Sequence, residues 1–156
     1  MSDATEAAGR FYAAFARRDH ATMAACYAPQ AAFADPVFPD LRGERIGLMW
    51  RMLCERGTDL RVEWAPPHES GGEVLTEWQA WYTFRATGRP VHNRITASMV
   101  VKDGRILRHR DAFAFHRWAA QALGWKGRLL GWTPLVRGAV RREAARALER
   151  FGARQA

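Results

Sequence analysis

"EVLTEWQAWYTFRATGRPVHNRITASMVVKDGRILRHRDAFAF", residues 73–115, contains three long stretches whose side chains alternate with period two. In the first, Val74, Thr76, Trp78, Ala80, Tyr82 and Phe84 share one face, with Glu77, Gln79, Trp81, Thr83 and Arg85 on the other. Successive side chains of an extended chain point to opposite faces, so the pattern predicts a half-buried strand. After Gly88 and Arg89, the second stretch sets Val91, Asn93, Ile95, Ala97 and Met99 against His92, Arg94, Thr96, Ser98 and Val100. Asp103-Gly104 then marks a hairpin, because this pair suits turns that require positive φ. The third stretch places Leu107, His109, Asp111, Phe113 and Phe115 on one face. The reading is an antiparallel meander with one apolar side.

Working outward, residues 60–64 alternate Leu60, Val62 and Trp64 and are stopped by Pro66 and Pro67, which adds a fourth strand. Before it the period is helical. Ala8, Phe11, Tyr12 and Phe15 predict a first helix over 5–17, and Asp19 opens a second that Pro29 ends. A short strand "AAFAD" follows, and Ile46, Met49, Trp50 and Leu53 predict a third helix over 44–56, closed by Gly57. Helices first and a meander afterwards imply an α+β domain with its helices on one face of a curved antiparallel sheet. Beyond Phe115 lie a helix with Trp118 and Leu123, and a glycine-interrupted link whose Trp125, Leu129, Leu130 and Trp132 are expected to form a lid over the open end. A last amphipathic helix follows, with Thr133 as N-cap and Pro134 at its first position.

With 156 residues, 48% of them hydrophobic and seven tryptophans, the chain encloses a single core. Cys26 and Cys54 show no metal-ligand spacing and read as free thiols. "MSDATEAAGRFYAAF" carries acids early and lacks the layout of a secretory signal, and no apolar run approaches a membrane span, so a cytoplasmic location is expected. The formal charge of +8 is lopsided. From Arg117 onward nine basic side chains face only Glu143 and Glu149. A general affinity for nucleic acid is therefore not expected. The last helix is read as packing its apolar side on the domain with its arginines in solvent, without membrane contact.

Three segments together, "FYAAFARRDHATMAACYAPQAAFADP", "LRG" before the third helix and "VVKDGRILRHRDAFAF", resemble the nuclear transport factor 2-like superfamily. This is the cone-shaped fold of ketosteroid isomerases, SnoaL-type polyketide cyclases and limonene-epoxide hydrolases, and the chain is most similar to bacterial members related to ketosteroid isomerase. The resemblance implies a cone-shaped domain over 1–116, a helical extension over 117–156 packed on it, a homodimer, no cofactor, and a pocket for a small apolar molecule. It places Asp35, just before Pro36, at the position of the isomerases' proton-shuttling base. A carboxylate in an apolar hollow has a raised pKa and is a stronger base toward a weak carbon acid. The isomerases' oxyanion-binding Tyr and Asp align with Phe11 and Ala97, and the epoxide hydrolases' Arg-x-Asp pair with Trp78 and Ala80.

The hollow implied by this register is lined by Asp35, Trp50, Trp78, Ala80, Tyr82, Asn93, Ile95, His109, Asp111 and Phe113. Asp35, Asp111 and His109 are the candidate catalytic groups; Trp50, Trp78, Tyr82, Asn93 and Phe113 are the candidate substrate contacts. Two readings stand for each polar group. Asp35 is either a base facing the hollow or a turn residue binding local N–H groups. His109 and Asp111, two residues apart on one strand face, are either an acid–base pair or a structural tie within the sheet. No Cys, His, Asp or Glu set has metal-ligand spacing, and there is no Gly-rich phosphate loop.

Overall fold

The structure is a computed structural model that describes residues Ser2–Gln155. Its elements run α1 (Asp3–Ala16), α2 (His20–Ala25), β1 (Tyr27–Ala34), β2 (Leu41–Arg42), α3 (Glu44–Arg56), β3 (Arg61–Trp64), β4 (His68–Ser70), β5 (Glu73–Phe84), β6 (Arg89–Lys102), β7 (Arg105–Ala112), α4 (Phe115–Leu123), α5 (Trp125–Leu130) and α6 (Pro134–Gln155). The α+β class is as the patterning implies. The strands form one sheet in the order β2-β1-β7-β6-β5-β3, with β4 paired to β5. All neighbours are antiparallel except β1 and β7, so the sheet is mixed. Alternation in one strand cannot report its partner's direction, which is why the parallel pair is absent from the sequence reading.

Local chemistry sets the boundaries. Ser2 and Thr5 form a capping box at the start of α1, and the Asp19 side chain accepts the Thr22 N–H to start α2. Asp103 (φ 53°) and Gly104 (φ 76°) make the left-handed turn that joins β6 to β7. Pro66 and Pro67 end β3 as expected, but the chain then re-pairs as β4 across Gly71 and Gly72. This exposed three-residue strand has no apolar face to announce it.

The β7 face is corrected at its tip. Val100 pairs with Arg108 while the adjacent Val101 pairs with Ile106, so Leu107 is a bulge residue. The bulge reverses the phase, putting Ile106 in the core and leaving Leu107 half-buried beside the buried His109 and Asp111. Phe115, expected on the strand, instead opens α4.

The apolar faces meet in two clusters. The larger packs α1 through Ala8, Phe11, Tyr12 and Phe15 against Trp50 and Met49 of α3 and against Trp78, Ile95 and Met99 of the sheet. Fully burying one such large side chain stabilises by about 1.5–3 kcal/mol. The smaller joins Phe115, Trp118, Ala119 and Ala122 of α4 to Val91. Tyr82 and Phe113 are half-buried and touch both. The terminal helix α6 buries Leu148 and Phe151, lies on α3, and adds Val136 and Val140 to the smaller cluster.

The α4–α5 link departs from expectation. A side-chain carbon added at Gly127 would sit 1.8 Å from the Ala119 carbonyl oxygen, so the α5 backbone presses directly on α4. Glycine is the residue that permits this approach. The expected lid residues Trp125, Leu129, Leu130 and Trp132 are consequently on the outside and exposed.

Candidate functional site

The chain leaves β1 at Ala34 and turns at once. Pro36 holds its φ, the Asp35 N–H donates to the Phe38 carbonyl at 2.9 Å, and Asp35 Oδ1 accepts from the N–H groups of Val37 (2.7 Å) and Phe38 (2.6 Å). Asp35 is thus a turn-forming residue. Its second oxygen, Oδ2, has no hydrogen-bond partner among the described residues. Burial pushes the carboxyl up to about 6; the Phe38 and Val37 N–H groups and the His109 ring oppose that rise, and the Asp111 charge adds to it. From the far side, Arg141 of α6 donates to the Pro36 carbonyl at 2.9 Å and holds the turn in place.

Val37 and Phe38, next along the turn, are half-buried; Tyr82 lies within electrostatic reach of the acid and packs with Val37, Phe84 and Phe113 on the smaller cluster. Tyr82 is the polar member. Its hydroxyl accepts the Trp118 indole N–H at 2.7 Å, which leaves its own proton free to donate elsewhere. Burial, helped by the Asp35 charge, pushes the phenol up to about 12 despite that hydrogen bond. Tyr82 is therefore a neutral donor within electrostatic reach of Asp35.

His109 and Asp111 are brought together deeper inside, at 1% and 4% exposure. His109 Nε2 lies 2.9 Å from Asp111 Oδ1, and its Nδ1 lies 2.7 Å from the Tyr27 hydroxyl, which accepts the Trp50 indole N–H at 2.9 Å. An N–H at Nε2 fits these partners, donating to Asp111 while Nδ1 accepts from Tyr27. The Trp78 indole donates to the same Asp111 oxygen at 3.4 Å. Phe11 and Phe33 approach the imidazole edge-on at 5.5 and 5.0 Å, and Tyr27 and Trp50 stack near it.

The candidate residues thus divide by depth. Trp50, Trp78, Ala80, Ile95, His109 and Asp111 are packed in the core, whereas Asp35, Tyr82 and Phe113 are half-buried. Aromatic rings, Phe11 at the position of the isomerases' Tyr among them, fill the deep end. Asn93 lies elsewhere, in a cleft of about 320 Å³ with His92, Arg94, Ala114, Arg117 and Gln121. Sequence reading missed Tyr27 as the histidine's partner and Trp118 as the tyrosine's. The Tyr27–His109 pair is 82 residues apart, and neither partner's neighbours advertise it. Tyr12, next to Phe11 on α1, is fully buried on Trp64 and Trp78, and its hydroxyl has no partner among the described residues. Burial, with the nearby Asp111 and Tyr27 charges, holds that phenol well above its usual value. Among the described residues no cluster of three His, Cys, Asp or Glu is arranged to bind a metal, and no helix is long and apolar enough to cross a membrane.

A family model described as "SnoaL-like domain" matches residues 8–109. The chain belongs to this family. Solved structures similar to this SnoaL-like protein include a limonene-epoxide-hydrolase-like epoxide hydrolase from M. tuberculosis, at 24% identity and TM-score 0.61, covering 86% of this chain and 95% of that one. A protein with a ketosteroid-isomerase-like fold from Catenulispora acidiphila, in complex with trimethylamine, is 16% identical with TM-score 0.67, covering 83% and 98%. IdmH, a putative polyketide cyclase from Streptomyces antibioticus, is 22% identical with TM-score 0.60, covering 74% and 95%. At these identities the likeness is one of fold. No protein of curated function matches the chain.

Proposed function

We propose that this SnoaL-like protein binds a small, largely apolar carbonyl compound of steroid or polyketide type and moves a proton on it without a cofactor, as an isomerase or cyclase. Asp35 is the base. The observation that carries this reading is a half-buried carboxylate with one oxygen engaged, one oxygen free, and a pKa raised to about 6 in apolar surroundings. Such a group is ionised at neutral pH yet basic enough to take a proton from carbon next to a carbonyl. Tyr82, with its hydroxyl fed by Trp118, donates to the carbonyl oxygen as negative charge builds there. Phe113, Phe38 and Val37 supply the apolar wall. His109 and Asp111 support the site from behind; they hold the aromatic floor in place and act on Asp35 in opposite senses, the Asp111 charge raising its pKa and His109 lowering it. A homodimer through the outer sheet face, where His92 and Arg94 stand, belongs to the same proposal, and sedimentation equilibrium measures it.

The test is deuterium exchange from solvent into a panel of enones and β-dicarbonyl compounds. Exchange should exceed background and rise with pH through about 6 as Asp35 ionises, and Asp35→Asn should lower it by about 10²- to 10⁴-fold. Equal exchange in both proteins would remove Asp35 from the role. A second reading is a non-catalytic binder, favoured by the absence of the isomerases' Tyr and Asp at Phe11 and Ala97. Ligand binding unchanged in Asp35→Asn, with no exchange in either protein, selects it.

A further inference from the structure

Five large apolar side chains stand in the open within one short segment: Trp125 (67% exposed), Leu129 (61%), Leu130 (47%), Trp132 (68%) and Leu135 (77%). Packing elsewhere does not explain them. The inner side of α5 is occupied by glycine, since side-chain carbons at Gly127 and Gly131 would collide with Ala119. The His116 ring ties the Arg128 carbonyl to α4 at 2.9 Å. The backbone is thus held down, and every bulky group of the segment faces out. Large apolar side chains left exposed together in one short segment mark a surface that something covers.

Charge selects what covers it. No acidic residue lies between Asp111 and Glu143, whereas Arg117, Lys126, Arg128, Arg137, Arg141 and Arg142 fall in that interval. Arg117, Lys126, Arg128 and Arg137 are exposed, and among the described residues none of the four joins an ion pair. A second copy docking through this strip would bring two sets of unpaired cations together. An anionic partner is attracted instead. Tryptophan and leucine on a short amphipathic element, ringed by Lys and Arg, is the composition that seats in the headgroup region of a bilayer. The Trp132 indole N–H already donates to the Leu129 carbonyl at 2.9 Å, so moving that ring away from water orphans no donor.

We infer that α5 and the start of α6 form a peripheral docking surface for anionic lipid bilayers, with Trp125, Leu129, Leu130, Trp132 and Leu135 inserted among the headgroups and Lys126 and Arg128 on the lipid phosphates. This surface is distinct from the arginine-rich face of α6 and does not depend on the function proposed for Asp35.

Co-sedimentation of the full chain with vesicles tests it, using phosphatidylcholine alone and phosphatidylcholine mixed with phosphatidylglycerol. Binding is expected to the mixed vesicles, with a blue shift of the exposed tryptophan emission, and to fall steeply with salt. Trp125→Ser with Trp132→Ser should weaken it at least tenfold, and Lys126→Glu with Arg128→Glu by tenfold or more, at roughly 1 kcal/mol per basic residue near the surface. All four positions are exposed, so the variants should keep the parent's melting temperature and circular dichroism. Three results would each overturn the inference: no binding to the mixed vesicles, equal binding by the variants, or a concentration-dependent dimer that the tryptophan variants abolish.

Discussion

Asp111 and Asp35 are both acids within electrostatic reach of each other, yet one is buried, the other half-buried, and they are built differently. Asp111 sits inside the sheet, with its oxygen shared by His109 and Trp78, in a chain that continues through Tyr27 to Trp50. Both ring nitrogens of His109 and the Trp78 and Trp50 indole N–H groups are used in that chain, and rings close around it. Asp35 sits at the edge, with one oxygen spent on the turn and the other free. A chain of side-chain hydrogen bonds in a core rigidifies the structure; a half-buried carboxylate tied only to local backbone keeps access for a proton or a ligand. Each acid accepts two hydrogen bonds on one oxygen. What separates them is depth and the kind of donor: core side chains for Asp111, and backbone N–H groups of a turn for the half-buried Asp35.

That contrast can be broken by mutation. Asp111→Ala strands the His109 Nε2–H and the Trp78 N–H inside the core, and should cost about 3 kcal/mol in urea unfolding. A cost below 1 kcal/mol would mean that the inner chain is not structural. Tyr82→Phe removes the donor within electrostatic reach of Asp35 and also strands the buried Trp118 indole N–H, at a cost of about 1–3 kcal/mol. Exchange or ligand affinity of the folded protein should fall about 10-fold; a purely structural Tyr82 would lower stability and leave both unchanged.

The pH dependence sharpens the comparison further. Because the Asp35 pKa is raised from 3.8 to about 6, the folded protein holds this proton more tightly than the unfolded chain does. The stability it contributes is full below about 3.8, declines as pH rises, and is lost above about 6. Asp35→Asn escapes this loss and can still accept the two turn N–H groups. It should therefore gain on the parent by about 1–3 kcal/mol as pH climbs through that window, read as a widening gap in melting temperature. A gap that does not change with pH would place the carboxyl in water. The smallest effect is expected from Arg141→Ala, which removes one hydrogen bond to the Pro36 carbonyl and should cost about 1 kcal/mol, with faster amide exchange at Val37 and Phe38.

Much of this was legible in the chain before folding. The alternation from Val74 to Phe84 and from Val91 to Met99 names the buried face, because each strand has one wet and one dry side. Asp19, Gly57 and Thr133-Pro134 mark helix ends through local chemistry that needs no distant partner. The spacing of His109 and Asp111 put them on one face, and they meet. What was hidden depends on contacts far apart in sequence: Tyr27 under His109, Trp118 behind Tyr82, and the parallel seam between β1 and β7. The outward-facing α5 was misread because bulky residues suggest burial, whereas here two glycines had taken the inner side.

The bulge at Leu107 divides β7 into two independently phased halves. Below it, pairs such as Ala97–Asp111 and Met99–His109 keep both polar groups turned inward; above it, Ile106 obeys a separate count set by the Asp103-Gly104 turn. Deleting Leu107 would make the strand continuous, and either the hairpin tip or the inner polar chain would have to rotate its side chains through half a turn. The protein's tolerance for length change at that tip is therefore coupled, through one extra residue, to whether an imidazole and a carboxylate stay dry.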